Sequence, residues 1–138
     1  MIFEERIVIK APANDIYALY VDVDNWNQWD EEVKDSYLTG VFEMGASGTI
    51  TPKNGPKSRI QLTQVVPNQS FIVTSKLPFC LLSFEHELIV KGDITEVIHK
   101  VTFSGLTSFL FGKLVGSQIH KGLPLTLQGL KIRAEGNV

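Results

Sequence analysis

Cysteine is nearly missing from this chain: Cys80 stands alone among 138 residues. No internal disulfide framework is possible, and a reducing compartment is the expected setting. Long apolar runs are also missing. Nothing approaches the ~18 residues that a membrane-spanning helix needs, and the opening residues Met1-Ile2-Phe3-Glu4-Glu5-Arg6 carry acids where a signal peptide would carry bases. A cytoplasmic protein without integral membrane association is expected. Charge is modest, with a net −2 and no dense cluster of Lys or Arg, which argues against a nucleic-acid partner. No repeat, linker or low-complexity tract divides the chain, so residues 1–138 are expected to form a single domain with one real core.

What is present is mostly strand. Ile2 to Lys10 is β-rich, and Pro12 with Asn14-Asp15 then offers a helix start carrying Ile16, Leu19 and Tyr20. Asp22 or Asp24 can cap a second short helix bearing Trp26 and Trp29. Strands follow at residues 33–39, near 49–51, at 59–66 and at 71–77. The glycines from Gly40 to Gly48 lack the Lys-Ser/Thr ending of a phosphate loop and read as turns, able to form a flap. Beyond Gly105 the period changes. Phe109, Gly112, Gly116, Ile119, Leu123, Leu127, Leu130 and Ala134 recur at spacings of three and four, one face of a helix reaching about Glu135. Pro124 should kink it. Such a glycine-rich helix needs a sheet to lean on.

The most informative stretch is a hairpin. Residues 82–90 and 94–104 both alternate, and Gly92-Asp93 between them suits a two-residue type II′ turn. That turn sets Lys91 against Ile94. The register then sets Leu88 against Val97, His86 against His99, Phe84 against Val101 and Leu82 against Phe103, with Glu85 against Lys100 on the outer face. A slip of one residue would swap the faces. Two titratable rings therefore point inward together, where interiors demand a partner, water or ligand. Ligand contact, a mutually hydrogen-bonded pair and acid/base catalysis all fit two such rings. Zinc does not, because their apolar neighbours supply no further ligands. No metal and no cofactor are expected. Cys80 has no nearby base and is not a nucleophile candidate.

The layout resembles the START-like, helix-grip superfamily, which includes polyketide cyclases and dehydrases and lipid-transfer domains. The matching segments are Ala11-Pro12-Ala13-Asn14-Asp15-Ile16-Tyr17, the Asp- and Trp-bearing run from Asp22 to Asp30, Gly40-Val41-Phe42-Glu43-Met44-Gly45, and the helix end Leu130-Lys131-Ile132-Arg133-Ala134-Glu135. The resemblance implies an α+β fold: a curved antiparallel sheet of six or seven strands around a long C-terminal helix, with two short helices after the first strand. It also implies an interior cavity for a hydrophobic small molecule, lipid-like or polyketide-like. Small Gly112 and Gly116 leave room for one, or else allow close backbone packing. The expected lining is Leu82, Phe84, Val101, Phe103, Ile119, Leu123 and Leu127, with His86 and His99 as polar contacts and Trp29 beside the ligand. His120 belongs at the rim. The acids from Asp22 to Glu32 read as caps and a solvated face. An enzyme of the cyclase/dehydrase kind would use the same histidines as acid and base. A protein-interaction module, or a homodimer, would instead use the outer stripe Leu110, Leu114, Leu125 and Ile132.

Overall fold

The computed structural model describes residues 1–136. Strand β1 spans Ile2–Ile9 and helix α1 Ala13–Val21, followed by a short 3-10 segment, Val23–Gln28. Strands β2 (Val33–Leu38), β3 (Ser47–Pro52), β4 (Ser58–Val66), β5 (Ser70–Leu77), β6 (Cys80–Lys91) and β7 (Ile94–Ser104) come next, and helix α2 (Ser108–Gly136) closes the chain. All seven strands form one antiparallel sheet in the order β1-β7-β6-β5-β4-β3-β2. The curved sheet wraps the long helix, which is the helix-grip layout. No helix among the described residues is long and apolar enough to cross a membrane.

The hairpin register is the one that alternation and the Gly92-Asp93 turn require. Lys91 pairs with Ile94, Leu88 with Val97, His86 with His99, Phe84 with Val101 and Leu82 with Phe103. On the outer face the Lys100 ammonium lies 3.9 Å from the Glu85 carboxylate. Gly92 takes φ +65, the left-handed conformation that this turn needs and glycine adopts freely.

Several local expectations are corrected. Helix α1 begins after Pro12 with no side-chain cap, because Pro12 supplies the fixed backbone angle instead. Asp22 precedes the 3-10 segment, but its carboxylate accepts from the Asn25 side chain and caps no backbone N–H. Asp24 accepts from the Leu38 N–H of β2. Helix α2 runs through Pro124 to Gly136, the extent that its period predicts. Its inner face at the N-terminal turns is carried by Phe111 and Val115, while Phe109 points to solvent. The stripe Leu110, Leu114, Leu125 and Ile132 is likewise exposed. The loop before β3 is no free flap. Phe42 packs on Phe71 and Tyr17, and the Gly45 N–H donates to the Leu62 carbonyl at 2.7 Å.

Helix α2 lies over β1 and β7. The Lys131 ammonium donates to the Val8 carbonyl, and the Glu135 carboxylate accepts from the Lys10 N–H. Its glycines serve close packing. A Cβ at Gly129 would strike the Trp29 carbonyl, and one at Gly122 would meet the Glu32 side chain. Gly112 and Gly116 press against the Met1 and Phe3 side chains, so they bring the helix close to β1 and do not open a cavity.

Two apolar clusters result. The larger joins α1, the 3-10 segment, the C-terminal half of α2 and the strands beneath them, including Tyr20, Trp26, Trp29, Phe71, Leu127 and Leu130. The smaller lies under the N-terminal half of α2, with Cys80, Leu82, Val101, Phe103 and Leu123 buried and Phe3, Phe111, Val115 and Ile119 partly exposed around them. Phe84 touches both.

Candidate functional site

The histidines sit on the seam between these clusters. Along β6 the inward positions run Leu82, Phe84, His86, Leu88; along β7 they run Phe103, Val101, His99, Val97. In both strands the smaller cluster ends and the larger begins around the histidine. Residues paired directly across strands share a face. Pairing therefore makes one inner row across the sheet: Val65 on β4, Phe71 on β5, His86 on β6, His99 on β7 and Glu5 on β1. Glu5 was not singled out from sequence, because the Phe3-Ile7-Ile9 alternation of β1 is broken by the acid itself.

The two imidazoles do not hydrogen-bond each other. Their rings meet edge to face with centroids 4.6 Å apart, and each is engaged elsewhere. His99 Nε2 lies 2.6 Å from the Tyr20 hydroxyl, which α1 drops onto the sheet. His86 stacks flat on Phe71, centroids 3.9 Å apart, and its Nδ1 lies 3.3 Å from the Phe71 carbonyl oxygen. Tyr20 also packs against Phe71, His86 and Trp29, and the Trp26 indole N–H donates to its carbonyl. Tyr20 was legible only as one apolar-face position of α1; its hydroxyl is what fixes His99.

These contacts set the protonation pattern. Burial, with Asp30 nearby, raises the Tyr20 hydroxyl well above its ordinary value, so it keeps its proton and donates. Burial lowers His99 well below its usual range, and the neighbouring His86 adds to this. Neutral His99 thus accepts at Nε2 and carries its proton on Nδ1. Burial takes His86 down to about 4, against the opposing pull of the carbonyls of Phe71 and Phe84. A carbonyl can only accept, so His86 bears its proton on Nδ1 and presents a lone pair on Nε2.

Among the described residues no buried side-chain nitrogen or oxygen lacks a partner. The bonds to Tyr20 and to the Phe71 carbonyl engage His99 Nε2 and His86 Nδ1, and leave the second nitrogen of each ring outside them. His86 and Phe84 point inward yet stay partly exposed, as do Glu5 and Ile119.

A second polar group meets the seam from the helix side. Asp30, expected on a solvated face, is buried at 8% exposure. One oxygen accepts from the Thr126 hydroxyl at 2.9 Å and the Glu32 N–H at 3.0 Å. Burial raises its pKa against those two bonds. The Asp30-to-Thr126 bond ties the turn after the 3-10 segment to α2, next to the point where the Trp29 carbonyl lies against Gly129.

The structure brings Leu82, Phe84, Val101, Phe103, Ile119 and Leu123 together in the smaller cluster beside His86 and His99. It places Leu127 and Trp29 in the larger one, the first 1% exposed and the second packed edge-on against Tyr20. His120 is exposed, its ring beside Phe3.

Solved structures of the same fold span the whole chain. TTHA0849 from Thermus thermophilus superposes with a TM-score of 0.76 at 17% identity, covering 97% of each chain. The Aha1 dimer from Colwellia psychrerythraea gives 0.73 at 19% identity, over 98% of this chain and 96% of that one. A truncated norcoclaurine synthase from Thalictrum flavum gives 0.71 at 13% identity, over 96% and 91%. At these identities the likeness is one of fold. No curated protein matches the sequence. The sequence profile of one family covers residues 1–135, and with it the sheet, the seam and nearly all of α2: the chain belongs to the polyketide cyclase / dehydrase and lipid transport family.

Proposed function

We propose that this protein binds a neutral, largely apolar small molecule, aromatic or lipid-like, in the space between the sheet and the N-terminal half of α2. The walls are Leu82, Phe84, Val101, Phe103, Ile119 and Leu123, and the polar contacts are His86 and His99. One observation carries the reading: two imidazoles meet face to edge on the inner side of the sheet, each with a ring nitrogen outside the bonds to Tyr20 and Phe71, at the edge of the smaller cluster. His86 Nε2 accepts and His99 Nδ1–H donates. A hydroxyl or phenol answers both, whereas a carboxylate would face the His86 lone pair and a cation the His99 N–H. Family membership supports a ligand of this kind. A base pushed down to about 4 is poorly matched to proton abstraction near neutrality, so binding is favoured over cyclase- or dehydrase-type catalysis.

Isothermal titration with 2-naphthol and its methyl ether tests this. The naphthol should bind, the ether about tenfold more weakly for one lost hydrogen bond, and His86→Phe should erase the difference. Equal binding of the two probes to the wild type would sink the hydrogen-bonded reading. Native mass spectrometry of protein from its own source should then show a bound molecule that His86→Phe loses.

A further inference from the structure

Carboxylates are unevenly placed in this chain. Residues 44–84 contain no Asp or Glu, and neither do residues 101–134. All 15 acids lie outside these two blocks, although the blocks hold bases such as Lys57, Lys76, Lys113 and Lys121. The fold joins the blocks at one end of the sheet. There β5 turns into β6 through Pro78 and Phe79, and β7 turns into α2 through Gly105, Leu106 and Thr107. Thr107 straps the two turns together. Its hydroxyl donates to the Pro78 carbonyl and its N–H to the Phe79 carbonyl at 3.2 Å. Gly105, at φ +107, lies so close to the Phe79 carbonyl that a side chain there would strike backbone.

This strapped end is apolar and open. Leu106 is 82% exposed and Phe79 76%, with Phe109, Leu110, Leu114 and Leu81 exposed beside them. Lys76 precedes Phe79 and Lys113 follows Phe109 within one helical turn's length of chain, while Glu85 and Lys100 on the strand side of the turns pair with each other. Phe79 holds φ +55, a left-handed backbone that costs a bulky residue about 1–2 kcal/mol. No burial of its ring offsets that. An open depression of about 370 Å³ lies between the turns, and two of its lining residues, Leu77 and Cys80, also belong to the smaller interior cluster. The strapped end is thus the outer wall of the proposed ligand space.

We infer that this end docks on an anionic lipid bilayer, with Phe79, Leu106 and Phe109 in the headgroup–acyl boundary and Lys76 and Lys113 against lipid phosphates. Exposed aromatic and leucine side chains flanked by lysines, with no acid among them, are the composition of an interfacial membrane contact. A second copy of the chain fits less well. A two-fold contact through this patch would set lysines against lysines with no carboxylate to answer them. The inference is independent of the ligand reading and survives its failure.

Full-length protein is sedimented with vesicles of mixed phosphatidylglycerol and phosphatidylcholine, and with phosphatidylcholine alone. Binding is expected to the mixed vesicles, weakened by salt and weakened about fivefold by each of Lys76→Gln and Lys113→Gln. Phe79→Ser with Phe109→Ser should abolish it without unfolding the protein, since both rings are exposed. Phe79→Gly should raise thermal stability by relieving the backbone while reducing vesicle binding, an opposition that a merely structural role cannot produce. Met44→Ser, at an exposed position on the opposite end of the sheet, should change nothing. Absence of binding to the anionic vesicles overturns the proposal. So does binding that persists in the double serine variant, or a dimer in sedimentation velocity that this variant dissolves while vesicles capture nothing.

Discussion

The two ends of the sheet share the same long strands and the same helix, yet they are packed differently. At the α1 end, Tyr20, Phe71, Trp26 and Trp29 interlock, and Gly129 brings α2 directly onto the Trp29 backbone. At the other end α2 rests on the Met1 and Phe3 side chains, and beneath it Leu82, Val101 and Phe103 are buried while Phe3, Leu77 and Phe84 stay partly exposed. The first arrangement is a rigid core. The second borders both the proposed ligand space and the proposed bilayer contact. One helix can thus close a fold with its C-terminal half and leave its N-terminal half free for another task.

Large-to-small substitution should expose this contrast most strongly. Phe71 has no exposed surface and contacts Tyr17, Tyr20, Phe42 and His86. Phe71→Ala is expected to cost about 4 kcal/mol, enough to unfold a marginal domain. Phe84→Ala, at a partly exposed ring facing the proposed ligand space, should cost less than half as much and enlarge that space. Urea melts of the two variants measure the gap. Equal losses would mean that the smaller cluster is packed as tightly as the larger.

Acid comes next, acting at the boundary between the regions. His86 falls from an unfolded value near 6.5 to about 4 in the folded protein. Between those values the unfolded chain binds more protons, so stability is full above about pH 6.5 and drains away as pH falls towards 4. The loss approaches about 3 kcal/mol for His86 alone. His99 shifts in the same direction. Asp30, whose value is raised, opposes them by favouring the folded state at lower pH. Thermal melts from pH 7 to pH 4.5 should therefore slope downward, and His86→Phe should flatten the slope. A melting temperature independent of pH in that window would show that the rings are not held neutral.

How much of this was legible in the sequence depends on whether the signal was local. The hairpin register was, because alternation on both strands and a two-residue turn leave a single consistent pairing. The run of consecutive hairpins and the long helix followed from turn residues and from a change of period, whereas the pairing of β1 with β7 carries no local signal. What the sequence hid were contacts between distant segments. Tyr20 meets His99 across 79 residues, and Thr126 meets Asp30 across 96. Neither spacing carries a pattern, and an aspartate after a Trp-bearing turn reads as surface until a helix hydroxyl buries it. Glu5 was hidden in the opposite way. A charge on an inward strand position breaks alternation, and only the partner strand shows which face it occupies. For α2, period alone could not separate Phe109 from Phe111 at a helix start, where the first turn overhangs the sheet's end.

Glycine replacement along α2 separates the two halves of the helix again. Gly129→Ala would drive a methyl into the Trp29 carbonyl, which is backbone held between the 3-10 segment and the Asp30-to-Thr126 bond and cannot move alone. The expected overpacking cost is about 1–3 kcal/mol, more than the ~1 kcal/mol that helix propensity returns. Gly112→Ala would meet the far end of the Met1 side chain, which can swing away. There the propensity gain should dominate, leaving the variant neutral or slightly more stable. Opposite signs in chemical denaturation support a helix locked at one half and adjustable at the other; the same sign at both sites removes the distinction.

The smallest effect tests the link between the regions. Tyr20→Phe keeps the ring that packs on Phe71 and Trp29 and removes only the 2.6 Å bond to His99 Nε2. A lost hydrogen bond of this kind costs about 1–2 kcal/mol, because a buried acceptor is left without its donor. The consequence for the site is larger than the energy suggests. Without the tyrosine proton, His99 is free to carry hydrogen on Nε2 instead, and Nδ1 then turns from donor into acceptor. Both remaining nitrogens of the seam would be lone pairs, and a hydroxyl ligand could satisfy only one of them. Nitrogen-15 chemical shifts of the His99 ring report the tautomer directly. The expected result is an Nδ1–H signal in the wild type, a mixed population in Tyr20→Phe, and weaker naphthol binding in proportion. An unchanged tautomer would mean that the rigid core does not dictate the chemistry of the proposed ligand space beside it.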